Sequence, residues 1–195
     1  MQSEKIIELI FGKRGCGKSY LAKKLVADLR RSIVFDTLGE YTEGVVVETI
    51  ENLATIWKNV YDKGFRFIYQ PLDPECEFEK ICELIYDCGN LTFLVEEVDC
   101  FCNPLSMGLN FKSIIQRGRH KNISLIGITQ RPHGISRLLT SQAKKMSVFN
   151  TTEPRDLQYF TEIFGEDFVK KISELKQYEY VCWQDGIEEL VVSRA

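Results

Sequence analysis

The stretch Gly12–Ser19, GKRGCGKS, constrains this chain more than any other segment. It reads Gly, four residues, Gly-Lys-Ser, between an apolar run ending at Phe11 and the helical pattern LAKKLVADLR. A strand, a glycine-rich turn and a helix in that order bring successive backbone N–H groups to one point at the positive end of the helix. Glycine makes such a turn possible because it tolerates positive φ without a steric penalty. The spacing suits a phosphate chain: Gly12, Lys13, Arg14, Gly15, Cys16, Gly17 and Tyr20 line it, Lys18 reaches the β- and γ-phosphates, and the Ser19 hydroxyl binds Mg²⁺. Cys16 is expected to contribute its N–H, with its side chain turned away. ATP with Mg²⁺ is the expected cofactor pair.

The rest of the chain alternates apolar clusters with helical patterns, the signature of an α/β fold with a mostly parallel central sheet flanked by helices. Strands are expected at residues 5–11, 32–37, 65–70, 91–97, 123–130 and 146–151, and helices near 18–31, 50–62, 75–88, 106–117, 136–143 and 154–163. Toward the end, Asp185 and Gly186 stand between two alternating runs, which predicts a C-terminal β-hairpin capping a sheet edge. No repeat, low-complexity tract or linker divides the 195 residues, so residues 1–195 are read as one domain.

Composition narrows the partners. The formal charge is −3 and the pI about 5.6, so a polyanion has to meet a local basic surface. The seven cysteines follow neither a zinc nor a thioredoxin-type spacing. Together with the absence of a signal peptide, they point to free thiols in a reducing cytoplasm. No apolar run approaches the roughly 20 residues of a membrane span.

Catalysis also requires a carboxylate for the metal and a group for the attacking water. The strand LTFLVEEVD delivers Glu96 and Glu97 at its carboxyl end, where ligands of open α/β sheets gather. Glu96 is assigned to Mg²⁺ through its water shell and Glu97 to the nucleophilic water. Asp99 competes with them, because the strand end is uncertain by about two residues. The strand ISLIGITQ ends in Gln130, whose amide suits a sensor of the γ-phosphate. Before it, QRGRHK places Arg117 and Arg119 as candidates for a finger into a neighbouring subunit's site, or for contacts to a nucleic-acid backbone.

With these pieces in order, the sequence resembles the HerA/FtsK superfamily of ring-forming DNA-pumping ATPases. FDTLGEY (35–41) is similar to that family's Asp-x-x-Gly-Glu-Tyr, and GRHKNISLIGITQRPHGISRLLTSQA (118–143) follows its Gly-Arg-Lys, strand, Gln-Arg-Pro and Ser-Gln in register. The resemblance implies a RecA-like (ASCE) P-loop fold with Walker A and Walker B elements. It also implies a homo-oligomeric, hexameric ring with ATP at subunit boundaries, a sensor role for Gln130, and an arginine supplied in trans, with Arg119 ranked above Arg117. Asp36 and Glu40 are placed near the nucleotide without an assigned role. The first acid is Glu where the family usually carries Asp. A motor lacking the additional HerA and FtsK domains is similar to the genome-packaging ATPases of tailless icosahedral viruses.

The leading expectation is therefore an ATPase that translocates double-stranded DNA into a procapsid. Capsid or portal-vertex proteins would be its partners, in the host cytoplasm or associated with the virion. The loop at 100–112 is a candidate DNA contact, although Lys112 is its one positive charge. Three other readings stand beside this one: a small-molecule P-loop kinase, a phage assembly or secretion ATPase of the zonula-occludens-toxin type, and a non-enzymatic nucleotide-binding scaffold.

Overall fold

The computed structural model describes residues 5–187 and 189–195. These form a nine-stranded sheet with β1 (Ile7–Phe11), β2 (Arg31–Phe35), β3 (Val45–Val47), β4 (Phe65–Tyr69), β5 (Leu91–Val95), β6 (Ile123–Thr129), β7 (Lys145–Phe149), β8 (Glu179–Gln184) and β9 (Val191–Arg194). Their order across the sheet is β3-β4-β2-β5-β6-β1-β7-β8-β9. The first seven strands run parallel, and β8 and β9 close one edge antiparallel. One strand, β6, thus separates the strand that leads into the glycine turn from β5, the strand that ends in the acids.

The helices are α1 (Lys18–Ala27), α2 (Ile50–Asn59), α3 (Pro74–Cys88), α4 (Leu109–Arg117), α5 (Arg137–Gln142), α6 (Pro154–Phe164) and α7 (Glu166–Glu174). Of these, α2 to α7 pack on one face of the sheet over the larger apolar core, where Phe78 of α3 stacks against Phe101 and meets Phe35 and Phe111 edge-on. The other face is covered by α1, whose Leu21, Ala22 and Val26 sit over Ile10, Val34, Leu94 and Ile126. Alternation along the strands sends these residues to one face and their neighbours to the other.

Each expected strand and helix is present, with shifted ends. α1 stops at Ala27, four residues short of its expected end, because the chain must turn before β2 begins at Arg31. α4 begins at Leu109 rather than at 106, since Asn103 Oδ1 accepts from Leu105 and Ser106 N–H and an isolated bridge joins Cys102 to Met107. Two elements were not expected, β3 and α7. The C-terminal hairpin turns at Asp185–Gly186, where the Ile187 N–H donates to the Gln184 carbonyl (3.1 Å). β9 begins only at Val191, so the connection is longer than a two-residue turn.

Candidate functional site

The parallel strands present their carboxyl ends along one rim, and the chemistry predicted from sequence collects there. After β1 the chain turns through Gly12 (φ 156°), Gly15 (φ 76°) and Gly17 (φ 111°) into α1. A Cβ at Gly12 would lie 2.7 Å from both Cys16 Sγ and Phe149 Cβ, so a side chain there would force the turn open. Cys16 is buried with its sulfur against Gly12, and burial pushes its thiol pKa up, as suits a packing residue rather than a reactive one.

Lys18 is 8% exposed, and its Nζ donates to the Lys13 carbonyl of the same turn at 3.0 Å. Burial holds its ammonium below the ordinary lysine pKa, opposed by Cys16, Glu96, Glu40 and Glu97 in that order. The turn therefore encloses a cation whose present partner is a loop carbonyl. That is what a cradle for phosphate oxygens requires, and the residues fit such a ligand.

Glu96 follows β5 directly and is 4% exposed. The Tyr41 hydroxyl donates to its Oε1 at 2.6 Å. Burial raises its pKa to about 7, with Glu40 and Asp36 adding to the rise and the Tyr41 hydrogen bond and Lys18 opposing it. A buried carboxylate at a strand end, together with the Ser19 hydroxyl in the first turn of α1, is a donor set suited to a hard cation shared with phosphate. Glu97 adopts left-handed backbone (φ 51°) and is half-buried at the head of the turn Val98–Cys100. That conformation, uncommon for a residue other than Gly, swings its side chain out of the strand's alternation. Asp99 lies further along, against the turn after β6, its Cβ 3.9 Å from where a Cβ on Gly134 would stand.

Gln130, just past β6, is exposed on a groove of about 420 Å³ that it shares with Lys13, Arg131, His133 and Arg155. The acids bordering this groove are occupied. Asp156 takes His133 Nδ1 at 2.8 Å and the Thr151 hydroxyl at 3.3 Å, and Glu153 caps α6 through Arg155 and Asp156 N–H. Lys13, Arg131 and Arg155 are exposed on the groove and outnumber its two acids, Glu153 and Asp156, by one, a small local excess of positive charge on an acidic protein.

Arg117 and Arg119 lie elsewhere. They precede β6 at its amino end, while the glycine turn adjoins its carboxyl end. Seven residues at about 3.3 Å each put roughly 20 Å between them. Arg117 is engaged by Ser113 Oγ (3.0 Å) and the Tyr86 ring, whereas Arg119 is exposed. Tyr20 is also exposed and lines a separate hollow with Lys23, Tyr41 and Arg66.

Two features were not anticipated from sequence. One is the Tyr41–Glu96 contact. The other is a hollow of about 390 Å³ beside the glycine turn, bordered by Arg14, Asn150, Gln177 and Tyr178, with the Tyr178 ring against Gly17.

No family model matches the sequence. The DNA packaging ATPase P9 of Enterobacteria phage PRD1 is 24% identical over 207 residues, covering 94% of this chain and 84% of that protein. Among solved structures, the genome packaging NTPase B204 of Sulfolobus turreted icosahedral virus 2, in complex with ATP-gammaS, superposes with a TM-score of 0.81. Its identity is 20%, and the match covers 99% of this chain and 98% of that one. This is a P-loop NTPase fold. The N-terminal domain of zonular occludens toxin from Neisseria meningitidis shares the P-loop fold more distantly, with a TM-score of 0.56 and 14% identity over 99% of this chain and 94% of that one. The chain thus resembles viral genome-packaging ATPases more closely than it resembles the toxin domain.

Proposed function

We propose that this protein is an ATP-hydrolysing ring motor that translocates double-stranded DNA during viral genome packaging. The observation that carries this reading is the convergence of buried Lys18 and Glu96 with Glu97 on one rim of the sheet, beside a glycine turn shaped for phosphate. The similarity to the phage packaging ATPase over 94% of the chain supports it.

Phosphoryl transfer asks little covalent chemistry of a protein and much positioning. The turn N–H groups hold the phosphates, and Lys18 exchanges the Lys13 carbonyl for phosphate oxygens. Ser19, and Glu96 through water, would hold Mg²⁺, which neutralises charge on the phosphates. Glu97 orients the attacking water and Gln130 faces the γ-phosphate. The hollow beside Tyr178 takes the nucleoside.

The separation of roughly 20 Å across β6 keeps Arg119 from its own cradle, which favours its use in a neighbouring subunit of a ring, hexameric by family resemblance. Capsid or portal-vertex proteins are the proposed docking partners, and the host cytoplasm or the virion the proposed location. Among the described residues no helix is long and apolar enough to cross a membrane.

For the DNA contact the basic groove is preferred over the 100–112 loop, whose tip presents Leu105 at 98% exposure and no cation before Lys112. Duplex DNA is expected to bind and to stimulate ATP turnover. Replacing Arg131 and Arg155 together by Ala should flatten the dependence of log affinity on log salt by about 2, while ATP affinity stays unchanged. Turnover indifferent to DNA, with no duplex binding, would count against translocation. Transfer of phosphate to a metabolite would favour a kinase instead.

A further inference from the structure

We propose that Tyr41 is a positioning residue for Glu96, set in place by Asp36 and Gln70. The inference rests on the ATPase reading and deepens it. Asp36, at the end of β2, is 1% exposed, and its carboxylate accepts three hydrogen bonds: from Glu40 N–H (3.1 Å), Tyr41 N–H (3.0 Å) and Gln70 Nε2 (2.8 Å). Gln70 stands at the end of β4, where its own N–H donates to the Val47 carbonyl at 2.9 Å. The loop 36–41 is therefore tied down at its root, and Tyr41, 4% exposed, is delivered to Glu96 Oε1 at 2.6 Å. The resulting chain Gln70–Asp36–Tyr41–Glu96 crosses three adjacent strand ends, those of β4, β2 and β5, and finishes at an acid whose charge acts on Lys18.

Glutamate has one more rotatable bond than aspartate, so a Glu acting on a hydrated cation from a strand end needs an anchor to keep a single geometry. The phenol supplies it by fixing Oε1, and the carboxylate so held would meet the ion's water shell in one orientation. Partners that orient a metal-holding side chain commonly govern metal affinity and turnover by about 10- to 100-fold. This gives the stretch FDTLGEY a mechanical role: Asp36 shapes the turn and Tyr41 fixes the acid.

The test compares wild type, Tyr41→Phe and Gln70→Leu in two measurements. One is the Mg²⁺ concentration for half-maximal turnover. The other is calorimetric ATP affinity in EDTA and in saturating Mg²⁺. Tyr41→Phe should raise the Mg²⁺ requirement about tenfold or more and lower kcat by about 10- to 100-fold. ATP affinity in EDTA should stay within about twofold of wild type. Gln70→Leu, which alters no group at the cradle, should shift the Mg²⁺ requirement the same way and by less, and it carries the test should Tyr41→Phe fail to fold. In a Glu96→Asp background, where the shorter side chain no longer reaches the phenol, Tyr41→Phe should have no further effect. A wild-type Mg²⁺ requirement in folded Tyr41→Phe overturns the proposal, as does an equal loss of ATP affinity in EDTA and in Mg²⁺. Absence of turnover in the wild type would overturn the ATPase reading instead, and calorimetry would still decide the role of Tyr41.

Discussion

Equal amounts of Lys18→Ala and Arg119→Ala protein, each inactive alone, are expected to regain ATP turnover on mixing, to about a quarter of the wild-type rate. Lys18→Ala removes a buried cation from the cradle, a loss on the order of 10²–10³-fold in kcat. Arg119→Ala removes an exposed guanidinium that lies at the far end of β6 from its own cradle. If it completes a neighbour's site, the loss is on the order of 10³–10⁵-fold. In a mixed ring, an Arg119→Ala subunit still offers an intact cradle, and a Lys18→Ala subunit beside it still offers the arginine. About one boundary in four then has both parts, whence the expected recovery. An Arg119→Ala protein that turns over ATP normally would remove this residue from the reaction. Two dead proteins that stay dead when mixed, under conditions where wild-type subunits exchange, would rule out a site shared between subunits.

Glu97→Gln should produce a protein that binds ATP as tightly as wild type and barely hydrolyses it, with kcat lower on the order of 10²–10⁴-fold. The substitution conserves shape and keeps a non-glycine residue at the left-handed position, so the turn Val98–Cys100 is expected to stand. What disappears is the charge proposed to orient water. Single-turnover kinetics together with calorimetry separate binding from chemistry. If affinity in Mg²⁺ fell in parallel with kcat, Glu97 would be the metal's partner, and the roles of the two glutamates would have to be exchanged.

Much of this architecture is legible in the sequence. Buried parallel strands are apolar along their whole length, so β1, β2, β4, β5, β6 and β7 stood out as runs of Ile, Val, Leu and Phe. β3 escaped notice because Val45–Val47 is three residues long and lies at the sheet edge. α7 escaped because Gly165 alone separates it from α6, and its buried side, Phe168 and Ile172, is short. The start of α4 was out of reach of local reasoning. Its first N–H groups, those of Asn110 and Phe111, are capped by Glu79, and a Cβ on Gly108 would collide with that same side chain.

Within the site, the cradle and the acid pair could be read from spacing, since each is contiguous in sequence. The hold of Tyr41 on Glu96 could not, because the two are 55 positions apart. The motif around Asp36 marks the place without a role, and the role proposed for it rests on the three hydrogen bonds converging on that carboxylate.

The length of β6 has one further consequence. With the glycine turn at one end of this strand and Arg119 at the other, a solitary copy would, on the proposed trans role of Arg119, load fuel yet sit idle. Ignition would then wait for a neighbour and dilution alone would act as an off switch, so specific activity should climb with protein concentration until rings saturate.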